Sequence, residues 1–389
     1  MVVYLADSYK THLNVRANRC VRVPKRPKGL NDIMALSAHS CTKLPMSRQG
    51  QDTLRIGIVD VQARTGGVRT FIDKFAQALN KSGYIVRVLD ISKTSLSTLN
   101  SFDILHFSNY FLGVHTWKLL FVKRPKKIIT IHGWIKKEVW YAIKHDGLGL
   151  RAIIGGLLNL SLWKIFPLLF DAVSCPNEAT AEESGLKNAK IIPNCIFPED
   201  YQNILPIDVR LRPNELVFTT YISLSGLEER VIDKIIRVVN KVNQMLTQQS
   251  VVLLIFGRAP TGIDSASAKF MGFSRDFPSY LKGSDLLVLS YTTPGGLGYV
   301  TFEAGVLGIP VAKFTRRKDL EELVENQTGI LAQTEEEMIK NLLEYALNVK
   351  YLKPKLGKAL HEYIEKENSW NNITSIWSDL FYELTSEQK

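Results

Sequence analysis

The sequence contains few cysteines, and they are widely spaced. Four occur in 389 residues, and no two form a Cys-x-x-Cys pair. We therefore expect neither a disulfide framework nor a zinc site, and we expect a reducing, cytoplasmic location. The cysteines are Cys20, Cys41, Cys175 and Cys195.

The sequence also lacks a long uninterrupted hydrophobic run. Its most apolar segment, residues 148–173, is broken by Arg151, Asn159, Lys164 and Pro167. We predict a buried helix there rather than a membrane span, with an amphipathic helix lying on a membrane as the alternative. The first residues show no basic region followed by an apolar run, so no secretory signal is expected.

The first half of the chain has few acidic residues, and the net charge of +11 comes from it. Residues 55–195 carry 19 basic and 10 acidic residues, whereas residues 196–389 carry 21 basic and 25 acidic residues. This asymmetry favours an anionic partner for the first half, either acidic lipid or an acidic acceptor, or else marks a solvated basic face. No nucleic-acid recognition motif accompanies the charge, so no nucleic acid is expected.

Short apolar strands alternate with helices along most of the chain, which is typical of α/β proteins with parallel sheets. A chain of this length favours two domains. We predict two doubly wound, Rossmann-like domains facing across a cleft, where ligands meet the carboxyl ends of the strands. The predicted units are a basic N-terminal extension (1–53), a first domain (54–200), a second domain (201–370) and a C-terminal helix (371–389). That helix either crosses back to the first domain or ends the core of the second.

The stretch "TTPGGLGYVTFEAGVLGIPV", residues 292–311, surrounds Glu303 with glycines. A strand ends near Tyr291, a loop follows, and a helix begins around Tyr299. Glycine lets backbone amides approach a ligand closely, and a helix start attracts phosphate. A carboxylate one turn into the helix can accept hydrogen bonds from vicinal hydroxyls. The stretch therefore suits a nucleoside diphosphate linked to a sugar, with a structural Gly-rich turn as the alternative.

The part "GLGYVTFEAGVLGIPVA" resembles the donor-binding signature of family-four retaining glycosyltransferases, which have the two-domain GT-B fold. Other pieces follow in the family's order over residues 54 to about 385. They are "GGV" at 66–68, "IHG" at 131–133, "PN" at 193–194, "FGRAP" at 256–260 and "DLEELVENQTGIL" at 319–331.

The sequence departs from the family pattern at two places. The family usually has a second glutamate eight positions before Glu303, where this chain has Gly295. It also has an arginine and a lysine for the donor phosphates, and Ser223 stands at the arginine position. The resemblance then leaves Arg230, Arg258 and loop amides to meet the phosphate charge.

The resemblance implies roles for the remaining residues. Glu303 would hold the donor ribose, and His132 would contact the transferred sugar at the end of a first-domain strand. A histidine in that position is otherwise a structural residue. The two catalytic candidates are His132 and Glu303. The donor-binding candidates are Arg230, Arg258, Gly295, Gly296, Leu297, Gly298 and Glu303. The acceptor or phosphate loop contains Gly66 and Gly67, with a tight strand-to-helix turn as the alternative.

Basic and aromatic residues cluster between positions 117 and 141 of the first domain. Lysines beside aromatic residues suit an anionic membrane, where a lipid-linked acceptor would be presented. A solvated helix face with core tryptophans is the alternative. The cluster comprises Trp117, Lys118, Lys123, Arg124, Lys126, Lys127, Trp134, Lys136, Lys137, Trp140 and Tyr141.

Together these features predict a retaining glycosyltransferase that moves a sugar from a UDP- or GDP-linked donor to a hydroxyl acceptor. Asp-x-Asp occurs nowhere in the chain, so we expect no metal and no other cofactor. The alternatives are a non-catalytic protein of the same fold that binds nucleotide sugar or glycan, or supports a partner transferase, and a nucleotide-sugar epimerase. Gly295 and Ser223 favour the non-catalytic alternative.

Overall fold

Alternating strands and helices build two parallel sheets in the computed structural model of the protein. The structure describes residues 53–60, 67–108, 118–132, 166–186, 188–222, 227–257, 267–290, 298–315 and 318–386. The strands are β1 (Arg55–Asp60), β2 (Ile85–Asp90), β3 (Ile104–Phe107), β4 (Lys126–Thr130), β5 (Ala172–Cys175), β6 (Lys190–Ile191), β7 (Glu215–Ile222), β8 (Ser250–Gly257), β9 (Ala268–Gly272), β10 (Leu286–Ser290), β11 (Val311–Phe314) and β12 (Ile330–Ala332).

Ten α-helices lie within these ranges. They are α1 (Gly67–Lys81), α2 (Leu96–Leu99), α3 (Lys118–Phe121), α4 (Glu178–Ser184), α5 (Leu227–Met245), α6 (Phe277–Gly283), α7 (Tyr299–Val306), α8 (Glu335–Leu347), α9 (Val349–Glu367) and α10 (Trp370–Ser386). Short 3₁₀ turns cover Phe166–Leu169, Pro198–Tyr201 and Lys318–Leu320. No helix in the described part of the chain is both long and apolar enough to cross a lipid bilayer.

The first sheet has the strand order β2-β1-β3-β4-β5-β6, and all its neighbouring strands are parallel. Apolar residues cover both faces of the interior strand β1. Ile58 packs on one face with α1, and Val59 packs on the other with Phe107. Burial on both faces explains why these strands are nearly continuous apolar runs in the sequence.

The second sheet has the order β12-β11-β10-β7-β8-β9 and is also parallel throughout. Its longest pairing joins β7 and β8 from Glu215↔Ser250 to Ile222↔Gly257. Helices α5 and α8 cover one face, and α7 and α9 cover the other. The two sheets confirm the predicted α/β class with two doubly wound units.

Helix α10 packs on the first sheet through aromatic residues. Trp377 is fully buried, and its ring centroid lies 4.9 Å from that of Phe75 on α1. Phe381, one turn later, belongs to the same apolar cluster. The spacing of apolar residues predicted this helix, and its buried face now has a defined partner.

The chain passes between the two sheets twice, and the two passages are hydrogen bonded to each other. The Ile196 amide donates to the Asn368 carbonyl at 3.0 Å, and the Trp370 amide donates to the Ile196 carbonyl at 3.2 Å. Asn368 also donates its side-chain amide to the Asn194 carbonyl at 3.2 Å. These bonds hold the two segments that join the sheets to each other.

Candidate functional site

The N-terminus of α7 forms one wall of the candidate site. Gly298 is the N-cap, with extended backbone angles of φ −71° and ψ 159°. The first amides bonded within the helix are those of Thr301 and Phe302, which donate to the Gly298 carbonyl at 2.8 and 3.2 Å. The amides of Tyr299 and Val300 precede them and have no acceptor within the helix. A glycine cap has no side chain to occupy these donors, so they can meet an anion.

Glu303 lies one turn into α7, and its carboxylate already has one protein partner. Tyr201 donates its hydroxyl to Glu303 Oε1 at 3.0 Å. Glu303 is half-buried, and burial raises its pKa from an ordinary value of 4.5 to about 7. The Tyr201 hydrogen bond and the charge of Lys74 act in the opposite direction. The carboxylate is therefore poorly solvated, and the Tyr201 hydroxyl and the Lys74 charge both favour its ionised form.

The predicted first-domain residue, His132, lies just beyond the carboxyl end of β4. Its ring centroid is 4.3 Å from that of Phe71 on α1. Nε2 is buried, without a hydrogen-bond partner among the described residues. Burial lowers the His132 pKa from 6.5 to about 3, so the imidazole is neutral at pH 7. A neutral ring offers a hydrogen bond rather than a positive charge.

A second histidine, His106 on β3, lies close to His132 and is structural. It is fully buried, and its Nε2 is 2.7 Å from Thr130 Oγ1. Its ring contacts Phe75 and Trp377, with centroids 4.8 and 5.1 Å away. Burial, with a smaller effect of His132, lowers the His106 pKa to about 3. His106 therefore stays neutral and helps to join α1 and α10 to the sheet.

Helix α1 connects the two sides of the candidate site. Phe71 contacts His132, and Lys74, three residues later, acts electrostatically on Glu303. Residues three apart lie on the same side of a helix. One face of α1 is therefore near both predicted catalytic residues.

Several predicted site residues lie outside the described residues, and their roles stay predictions. Gly67 begins α1, and the backbone of Arg230 lies in α5. The predicted residues outside the described ranges are Gly66, Ser223, Arg258, Gly295, Gly296 and Leu297.

Sequence patterns did not indicate Tyr201, which the structure places against Glu303. Tyr201 ends the segment "FPEDY", at the predicted boundary between the first and second domains. Its two preceding acids, Glu199 and Asp200, pair with Lys81 and Lys74 of α1. Those acids and Pro198 are local signals of a turn, and they do not reveal the contact with Glu303.

Within the described part of the basic and aromatic cluster, some lysines bond to the protein and other basic residues are exposed. Lys118 donates to the carbonyls of Ile91 and Thr94, each at 2.8 Å, and Lys126 pairs with Asp171 at 3.4 Å. These lysines support the local fold. In contrast, Lys123 and Arg124 are exposed. Beside them on α3, Leu120 is 62% exposed and Phe121 is 55% exposed.

A protein-family comparison matches the segment of the chain that builds the second sheet. Residues 219–348, about a third of the chain, match the family described as glycosyl transferases group 1. This segment runs from β7 to α8 and includes α7 and Glu303. No curated protein matches the chain by sequence.

Solved glycosyltransferase structures share the fold at low sequence identity. Sucrose-phosphate synthase from Thermosynechococcus elongatus is similar with a TM-score of 0.63 and 16% identity, over 86% of this chain and 100% of that chain. Anabaena HepE in complex with UDP-glucose is similar with a TM-score of 0.59 and 14% identity, over 85% and 100%. WaaG, a glycosyltransferase involved in lipopolysaccharide biosynthesis, gives 0.54 and 12%, over 82% and 98%. The chain has the GT-B fold.

Proposed function

We propose that the protein is a retaining glycosyltransferase that transfers a sugar from a nucleotide sugar to a hydroxyl acceptor. The observation that carries this proposal is the place of Glu303. It lies one turn behind the glycine-capped start of α7, inside the segment that matches glycosyl transferases group 1. The structural neighbours support a UDP-linked donor, since HepE is described with UDP and with UDP-glucose.

Each part of this site matches one part of a nucleotide sugar. The first amides of α7 donate to the diphosphate, whose negative charge the helix start favours. Glu303 accepts hydrogen bonds from the ribose hydroxyls. Within the proposal, Arg230, Arg258 and the loop at 295–298 complete the donor contacts.

Transfer with retention requires the acceptor hydroxyl to reach the sugar on the face that the nucleotide leaves. Such a step depends on positioning and on stabilising the departing phosphate more than on a dedicated base. His132, being neutral, hydrogen bonds to the transferred sugar from the first sheet. Metal independence also belongs to the proposal and rests on the absence of Asp-x-Asp from the sequence.

A non-catalytic protein of the same fold is the second candidate. Gly295 and Ser223, at the positions usually held by an acid and an arginine, favour it. Such a protein would bind nucleotide sugar without turning it over. The two candidates therefore make different predictions about product formation.

Nucleotide release separates the two candidates. The protein is incubated with UDP- and GDP-sugars and with extracts that supply acceptors, and free nucleotide is measured. We expect release with at least one donor, reduced at least tenfold by Glu303→Gln. Glu344→Gln, an exposed site on α8, is the matched control and should leave the rate unchanged. Binding without release for every donor would favour the non-catalytic candidate.

We also propose that the first domain contacts an anionic membrane. The exposed Leu120 and Phe121, beside Lys123 and Arg124, are the observation that favours it. Apolar side chains enter the interface while the basic ones meet acidic headgroups. Cosedimentation with anionic vesicles at low salt tests this contact. Binding should weaken in Phe121→Ser, and a wild-type protein that stays in the supernatant would contradict the contact.

A further inference from the structure

We propose that Tyr201 is a positioning residue for the Glu303 carboxylate, holding one oxygen so that the other can accept a hydroxyl of the bound nucleotide. This inference rests on the proposed function and adds a residue to its donor site. It also assigns a role to the 3₁₀ turn Pro198–Tyr201, which joins the two sheets.

The contact between Tyr201 and Glu303 joins segments that are far apart in sequence. The hydroxyl donates to Oε1 at 3.0 Å across a separation of 102 residues. Oε2 has no hydrogen-bond partner among the described residues. A carboxylate has two oxygens with several acceptor sites, so one can be occupied by the protein while the other serves a ligand.

The turn that carries Tyr201 is fastened to the first sheet. Lys81 pairs with Glu199 at 2.8 Å, and Lys74 pairs with Asp200. The Lys81 ammonium also lies 4.4 Å from the ring centroid of Phe197, which precedes the turn. These contacts come from α1, so the hydroxyl reaches Glu303 from a turn that belongs with the first sheet. The position of the carboxylate is thereby tied to the arrangement of both sheets.

The groups around Glu303 determine how readily its carboxyl ionises, and the Tyr201 hydrogen bond is one of them. Tyr201 and Lys74 favour its ionised form, against the effect of burial. Asp200, which lies in the same turn directly before Tyr201, is already paired with Lys74. Tyr299 interacts with both Tyr201 and Cys195, and burial raises the pKa values of Tyr299 and Cys195, that of Cys195 to about 12. Both are therefore neutral at pH 7 and add no charge.

Removing the Tyr201 hydroxyl should make the carboxylate harder to ionise. The hydrogen bond lowers the pKa of Glu303, so Tyr201→Phe raises it and leaves less carboxylate at neutral pH. A protonated carboxyl is a weaker acceptor for ribose hydroxyls. We expect UDP affinity to fall on the order of fivefold to tenfold at pH 7 and to approach the wild-type value near pH 9.

Two measurements on the full chain test the inference. The first follows the Glu303 side chain by ¹³C NMR from pH 5 to 9 without nucleotide, assigned by its loss in Glu303→Gln. The second measures UDP affinity by calorimetry over the same range. Tyr351→Phe is the matched control, because Tyr351 is 66% exposed on α9.

The expected result is a higher titration midpoint for Glu303 in Tyr201→Phe, with the affinity curve displaced in the same direction, and no change in Tyr351→Phe. Equal midpoints in wild type and Tyr201→Phe would overturn the inference. An equal affinity loss at every pH would also overturn it, because a merely structural role predicts that pattern. If no nucleotide binds while the midpoint still moves, the hydrogen bond keeps its role and the proposed function fails.

Discussion

Replacing Glu303 by Gln should stabilise the protein, and the gain should depend on pH. Burial raises the pKa of this carboxyl from 4.5 to about 7 in the folded protein. Between these values the folded state holds a proton that the unfolded state has released, so stability falls as pH rises. Well above pH 7 the buried carboxyl is ionised, and its poor solvation lowers the free energy of unfolding by about 3 kcal/mol relative to pH 4.5.

Glutamine has nearly the same shape and its side-chain oxygen can still accept from Tyr201, but it never ionises. We therefore expect Glu303→Gln to match the wild type near pH 4.5 and to exceed it by about 3 kcal/mol at pH 8. Urea unfolding followed by circular dichroism at both pH values measures this difference. Glu344→Gln, on the exposed face of α8, serves as the control and should show no such trend. A constant difference between Glu303→Gln and wild type across this range would refute the reasoning.

Two further predictions concern the first sheet. Burial lowers the His106 pKa to about 3, so below pH 6.5 the unfolded state takes up a proton that the folded state excludes. His106 should cost about 2 kcal/mol of stability at pH 5, and His106→Asn should flatten the acid side of the stability curve; an unchanged slope would contradict this. Trp377→Ala should destabilise by about 3 to 5 kcal/mol in urea unfolding because it empties a fully buried site, whereas Ile376→Ala, 42% exposed, should change little. Similar losses in both variants would show that α10 is not anchored through Trp377.

Much of the fold could be predicted because its strands are buried on both faces. Continuous apolar runs such as those of β1 and β8 indicate strands of a parallel sheet that is covered on both faces. Strand β9 could not be predicted in this way. It lies at the edge of its sheet, remains partly exposed, and includes Lys269 and Gly272, so it has no apolar run to recognise.

The candidate site was only partly visible in the sequence. The loop, the helix start near Tyr299 and the carboxylate of Glu303 follow one another along the chain, so local rules predicted them. The hydrogen bond from Tyr201 joins distant segments, and no local pattern records it. The raised pKa of Glu303 likewise depends on which groups the fold brings around it.

The central claim is that Glu303 holds the ribose of a nucleotide sugar. It is tested most directly by combining a change in the protein with a change in the ligand. Calorimetry would compare UDP with its 2′-deoxy and 3′-deoxy forms on wild type and on Glu303→Gln. We expect removal of a ribose hydroxyl to weaken binding to the wild type about tenfold and to have little further effect on the variant, because the two changes remove the same hydrogen bond. Equal losses on both proteins would contradict the claim.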